Sequence, residues 1–285
     1  VARMLRQHGA QIGWRPDSAA WPPGLEPDFL LLTGTRHPAD LAPWKGRAPS
    51  LVATDLPDVD TLEALLAGGL ALASCEVGVP ACHGHQALPP QAQGLLRLLN
   101  DLVQDQDHAR VVASIKADAA LSVRLLQYLN SAGASPGRAL DSIDQAVMVL
   151  GRDALYRWVA QMLVRMSPPR PAAHALQACA LARARLFELL ARADQAPNPG
   201  GLDLLGLATM LPLLMSCSIE EAAEAMHLPP PAVQALRKEG GPWQPYLDLL
   251  QALEAGDMAA IENLSGPFGG PQPVFASWAE AWRTA

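Results

Sequence analysis

The chain has 285 residues, half of them apolar and 17% charged, which is the composition of a globular protein with room for one large or two ordinary domains. Its net charge of −7 and pI near 5.5, with no run of Lys or Arg, weigh against nucleic acid as the main partner. Cys75, Cys82, Cys179 and Cys217 are scattered without a CxxC pair and read as free thiols in a reducing compartment. No signal-peptide pattern opens the chain, and the apolar run Leu204 to Ile219 is interrupted by Pro212 and falls short of the ~20 residues that span a bilayer. The expectation is therefore a cytoplasmic protein without a membrane partner. A start at Val1 leaves open that the sequence is a piece of a longer product.

The texture changes near residue 80. Before it, short apolar runs alternate with turns. Met4 to His8 reads as the end of a helix stopped by Gly9. Asp28 to Thr33 and Ser50 to Thr54 read as buried strands, and Leu70 to Cys75 as a weaker third. Between the last two, Leu62, Leu65 and Leu66 share a helical face that Gly68-Gly69 end. That is a strand–helix–strand rhythm, hence an α/β layer. Trp21-Pro-Pro-Gly and Pro43-Trp-Lys-Gly read as loops. Pro80 to Pro90 reads as a linker between a domain over 1–82 and a second over 91–285, with 83–90 joining them.

Past residue 90 the pattern is helical throughout. Leu95, Leu98, Leu99 and Leu102 form one apolar stripe; Leu121, Leu125, Tyr128 and Leu129 form another, with Gly133 past its end. Asp107 and Asp118 sit where N-caps belong, and Ser142 with Gln145, then Ser218 with Glu221, have capping-box spacing. Ile143, Ala146, Val147 and Leu150 follow at helical spacing until Gly151 breaks the run; Leu155, Trp158, Val159 and Met162 begin the next. One long helix is expected over Ala172 to Ala193 and one very apolar helix over Leu202 to Met215, with shorter helices near Pro230, Pro242 and Asp257.

Ala146 and Gly151 are spaced like the small residues of a helix-turn-helix. A recognition helix needs donors on its outer face. The second helix offers Arg152, Arg157 and Gln161, opposed by Asp153, and a packing turn inside a bundle accounts for the same pattern. Cys75, Cys82, His83 and His85 are capable metal ligands, but C-x6-C-H-x-H matches no zinc module with a mechanical rationale. No G-x-S-x-G, P-loop or G-x-G-x-x-G occurs. Asp101, Asp105 and Asp107 read as solvated helix-end acids. The residues thus name no catalytic group, no metal site and no cofactor.

The segments "LLQYLNSAG" and "SIDQAVMVLGRDALYRWVAQML" resemble the HDOD domain, the HD-related output domain of bacterial signalling proteins. The matching positions are Asp118, Leu125, Leu126, Asn130, Ser131, Ala132, Ser142, Ile143, Ala146, Leu150, Gly151, Leu155 and Trp158, and the similarity runs over about 180 residues. It implies an all-α, HD-like helical bundle. Asp118, Asn130, Ser131, Ser142 and Gly151 would be structural motif residues, with Asn130 and Ser131 bonding backbone at a helix end. It also implies descent from HD metallohydrolases without their ligands. His174 stands near the first ligand position, and Thr209-Met210 stand where the His-Asp pair would be.

Residues 1–80 are similar, more weakly, to the last part of an EAL domain, the cyclic-di-GMP phosphodiesterase barrel. The acidic and lysine positions of that family fall at about Arg15, Pro16, Leu31, Thr33, Thr54 and Pro57, and a later glutamine at about Ser74. The implied fold is α+α/β: a partial, degenerate βα-barrel-like domain followed by the helical bundle. The implied function is non-catalytic bacterial signalling through binding of an unknown signalling protein, a second copy of the chain, or a small ligand. Arg152, Arg157 and Trp158 are the candidate interaction surface, with core packing competing for Trp158. The alternatives are a cyclic-di-GMP phosphodiesterase and a non-hydrolysing cyclic-di-GMP receptor, for whose phosphate Arg15 is the candidate contact.

Overall fold

The computed structural model describes residues 10–16, 26–75, 77, 90–104, 106–130, 142–166, 169–194, 201–215 and 217–284. The expected helix end at Met4 to His8, the Trp21 loop, Cys82, His83, His85, Ser131 and Gly133 lie outside them. By contact density the chain divides into two units, Val1–Pro80 with Pro169–His174, and Ala81–Pro168 with Ala175–Ala285. Assignment of residues 169–174 to the first unit has no signal in the sequence.

The first unit is a parallel sheet in the order β1 (Gly13–Trp14), β2 (Phe29–Leu32), β3 (Ser50–Leu56), β4 (Leu72–Cys75). Sequential neighbours pair, with Leu30 opposite Leu51 and Val52 opposite Leu72. The strand period of two sends Leu30, Leu32, Leu51 and Ala53 to one face, where they meet Leu41, Leu65 and Leu70 in a closed core. Leu65 lies on α1 (Val59–Ala67), which Asp58 starts by accepting from the Thr61 N–H at 2.7 Å. β1 is two residues long and carries no readable alternation.

Pro43-Trp44 does not form the expected loop but ends a 3-10 helix, Pro38–Trp44. Asp40 starts that helix by accepting from the Arg36 and His37 N–H groups, each at 2.9 Å, which also holds its carboxyl below the usual range. Arg170 belongs to this unit as well. Its Nε lies 2.7 Å from Glu63 Oε1 and its Nη2 3.0 Å from Oε2, while the Ala172 N–H donates to the same carboxylate at 3.0 Å.

The second unit is helical over the described residues: α2 (Pro90–Val103), α3 (His108–Lys116), α4 (Ala119–Asn130), α5 (Ile143–Leu150), α6 (Arg152–Arg165), α7 (Ala173–Ala193, from Ala175 on), α8 (Leu202–Ala208), α9 (Leu211–Met215), α10 (Ile219–Ala225), α11 (Pro230–Leu236), α12 (Gln244–Ala255), α13 (Met258–Leu264) and α14 (Pro271–Thr284). Asp107 caps α3 and Asp118 caps α4, accepting from Arg110 N and Leu121 N. Ser218 and Glu221 close a reciprocal capping box at α10, at 3.0 and 2.7 Å. Gly151 turns the chain between α5 and α6 with φ 75, a left-handed value that disfavours a Cβ.

Three expectations fail locally. Ser142 occupies the N-cap of α5 but caps nothing: its hydroxyl lies 3.4 Å from Asp144 Oδ2, not on a backbone N–H, and Asp144 in turn accepts from Lys116 Nζ at 2.7 Å. Tyr128 leaves the α4 stripe and is 44% exposed, while Leu121, Leu125 and Leu129 are buried. The apolar helix over 202–215 is two helices, broken at Thr209-Met210. Pro212 has no N–H to give to Ala208, and its ring crowds that carbonyl.

α7 and α8 touch backbone to backbone. A Cβ at Gly206 would stand 2.5 Å from Ala184 N and 2.6 Å from Ala184 Cα, so neither helix can yield by a rotamer change. Gly206→Ala is therefore expected to cost on the order of 3 kcal/mol, read as a lower denaturant midpoint at unchanged slope. An unchanged midpoint would mean that the two backbones do not meet.

Candidate functional site

The positions that the resemblance would give to a His-Asp pair, Thr209 and Met210, are buried, and Thr209 belongs to a polar network. Thr209 and Met210 are 5% and 0% exposed. The Thr209 hydroxyl donates to the Gly206 carbonyl at 2.7 Å and accepts from Arg183 Nη1 at 3.0 Å. Arg183, itself 5% exposed, meets Glu254 of α12 in a two-pronged pair, Nε to Oε1 and Nη2 to Oε2, both 2.8 Å. A guanidinium thus sits beside the Thr209 side chain, where a metal ligand would need an open, electron-rich setting. His174 is exposed. Among the described residues no three His, Cys, Asp or Glu side chains stand together as a metal site.

The candidate interaction residues fall in different environments. Trp158 is 3% exposed and packs 6.2 Å from the Tyr128 ring, so its indole is core and not surface. Arg152 is spent on structure. Its Nη1 donates to the Leu102 carbonyl at 2.9 Å and its Nη2 to the Gln106 carbonyl at 2.6 Å, satisfying acceptors at the end of α2. A helix-turn-helix would need that cation free for phosphate. Arg157 is half-buried and lies near Asp203. Asn130 is the last residue of α4. The large apolar side chains that do reach solvent include Met148 and Val149 of α5, 65% and 56% exposed. They were legible as residues off the 143/146/147/150 stripe.

Trp158→Ala is expected to lose about 3–5 kcal/mol, whereas Met148→Glu should stay within about 0.5 kcal/mol of the parent in denaturant melts. Equal effects would contradict this placement of the two side chains.

One group escaped the sequence reading. Asp203, in the first turn of α8, is largely buried, and its Oδ1 has no hydrogen-bond partner. Burial pushes its carboxyl up to about 6, against the opposing pull of Arg157; Glu188 of α7 adds repulsion. Next to Arg157, Tyr156 donates to the Met226 carbonyl, and burial raises its phenol to about 12. A leading Asp in "GLDLLG" looks like an ordinary helix-start acid, and nothing local signals that other helices cover it.

A folded pKa raised above the ordinary carboxylate value means that the neutral acid suits the fold. Its contribution is complete below the ordinary value of 3.8 and is lost as pH rises through about 6. Asp203→Asn should therefore melt several degrees above the parent near pH 8, with the gap closing near pH 4. A gap independent of pH would assign the effect to packing instead.

The HDOD domain family matches residues 87–227. The uncharacterized protein YuxH of Bacillus subtilis is 30% identical over 170 residues, covering 59% of this chain and 42% of YuxH. A Vibrio cholerae protein named cyclic di-GMP phosphodiesterase CdgJ is 28% identical over 171 residues, covering 59% of this chain and 39% of CdgJ. The chain thus spans about two fifths of the length of either relative. The crystal structure of an HDOD domain protein of unknown function from Geobacter sulfurreducens aligns at TM-score 0.46 and 17% identity, covering 71% of this chain and 93% of that one. No described helix is long and apolar enough to cross a membrane. Residues 87–227, running from α2 through α10, are an HDOD domain.

Proposed function

We propose that this chain is a non-catalytic bacterial signalling protein of the cytoplasm whose HDOD domain works by binding another signalling protein or a small ligand. The observation that carries this reading is the Arg183–Thr209–Glu254 network. The helix junction that would present a His-Asp pair instead holds a threonine hydrogen-bonded to a cation that is itself neutralised by a carboxylate. Metal-assisted hydrolysis needs ligands with lone pairs facing an open coordination position, and a guanidinium has none to give.

The four parallel strands in consecutive order are compatible with a remnant of an EAL-like βα barrel, in which sequential strands also pair as neighbours. The residues that the resemblance places at that family's metal and catalytic positions, Arg15, Pro16, Thr33, Thr54 and Pro57 among them, include no carboxylate. The name of CdgJ favours a second reading in which a link to cyclic-di-GMP survives as binding without hydrolysis.

Incubation of the chain with cyclic-di-GMP and Mg²⁺ or Mn²⁺, followed by chromatography, is expected to give no linear dinucleotide. Product that grows with protein concentration would overturn the non-catalytic reading. Calorimetric titration of the same mixture separates the remaining two: saturable heat without turnover makes the chain a nucleotide receptor, and no heat leaves binding of other partners.

A further inference from the structure

The last helix, α14 (Pro271–Thr284), carries two apolar stripes. Val274 and Ala281, both 0% exposed, seat it within the helical unit, and Arg185 Nη2 of α7 donates to Glu280 Oε1 at 2.6 Å. At 3.6 residues per turn, Phe275, Ala279 and Trp282 fall on the other stripe, at i, i+4 and i+7, and all three face solvent. Phe275 stays 37% and Trp282 43% exposed. Trp282 is held in place from its own helix, edge to face on Trp278 with ring centroids 5.5 Å apart.

Charge and register together say what covers this stripe. The chain has a net charge of −7, which on average repels copies of itself. Glu280, the single acid of α14, is neutralised by Arg185, and Arg283 adds a positive charge, so this face can meet an identical one without opposing carboxylates. The register is self-complementary. With two copies of α14 laid antiparallel about a two-fold axis near Ala279, Phe275 comes opposite the partner's Trp282, and Trp282 opposite the partner's Phe275. Arg283 comes opposite the partner's Ala276, whose small side chain leaves room for the arginine stem. Ala279 on the axis lets the two backbones approach. A parallel pairing would set Arg283 against its own copy.

We propose that α14 is a homodimer interface, in which two copies of the chain pair antiparallel through Phe275, Ala279 and Trp282. The helix lies outside residues 87–227, so the dimer stands or falls independently of the function proposed for the HDOD domain. Area sets its strength. An aromatic side chain covers about 150–250 Å², so the exposed parts of Phe275 and Trp282 come to roughly 150 Å² per copy. Even with the flanking alanines and the Arg283 stem this is short of the ~800 Å² per partner of a standard interface. The dimer is therefore weak and concentration-dependent, with a dissociation constant on the order of 10–100 µM, and rests on aromatic anchors ordered before they meet.

Sedimentation equilibrium of the full chain, from micromolar to about 1 mM, tests this. The mass is expected to rise from the 30.2 kDa of one chain toward twice that value. Ala279→Glu brings two carboxylates together at the two-fold axis, while in the single chain position 279 is exposed. It should raise the dissociation constant at least about tenfold and leave the melting temperature within about two degrees of the parent. Under mild oxidation Ala279→Cys should give a disulfide-linked dimer in higher yield than either the parent or Met148→Cys, a 65% exposed position on α5. A parent that stays monomeric through the whole range would overturn the proposal and leave the stripe to a partner other than this chain. A dimer that Ala279→Glu does not weaken, or equal cross-linking of Ala279→Cys and Met148→Cys, would overturn it as well.

Discussion

The helical unit is organised by the contact between α7 and α8 at Gly206. With no Cβ on Gly206, the backbone of Ala184 comes within van der Waals reach, and the two helices approach more closely than side chains would permit. That approach places the end of α8 under the guanidinium of Arg183, one residue before Ala184. Thr209 then accepts the hydrogen bond that Arg183 does not spend on Glu254. A buried cation would be prohibitive alone. Here two hydrogen bonds to the Glu254 carboxylate and one to the Thr209 hydroxyl offset its desolvation within the core.

The same junction holds a side-chain cation at the positions that the resemblance would give to a metal-binding His-Asp pair. Metal sites in helical bundles need inward carboxylates and imidazoles, whose lone pairs converge on a cation. In this chain the convergence is of the opposite sign. The cation is a side chain, and the acceptors around it are protein groups. Arg152 shows the same economy on the other side of the bundle, where it closes carbonyls at the end of α2 and is not left for a ligand. Polar chemistry inside this unit is used to join helices.

The sheet unit is built differently. Its core lies on one face and is made of leucines at alternate positions, and its turns at the carboxyl ends of the strands are held by backbone-directed bonds from Arg36 and Asp40.

The sequence by itself determined the elements and most of their ends. Short apolar runs marked β2 and β3, and Asp107, Asp118 and Ser218 stood at helix starts because each needs only its own next turn to make a cap. The HDOD motif was legible for the same reason, as a series of local spacings. Tertiary structure alone decided which polar groups were free. Trp158 went into the core, Arg152 onto carbonyls 50 and 46 residues away, Asp203 under neighbouring helices, and Ser142 out of its capping box because Asp144 and Lys116 drew its surroundings elsewhere. Periodicity reports that a face is apolar or that a charge is present. It carries no information about which distant element arrives to cover it, and burial and pairing are properties of that arrival.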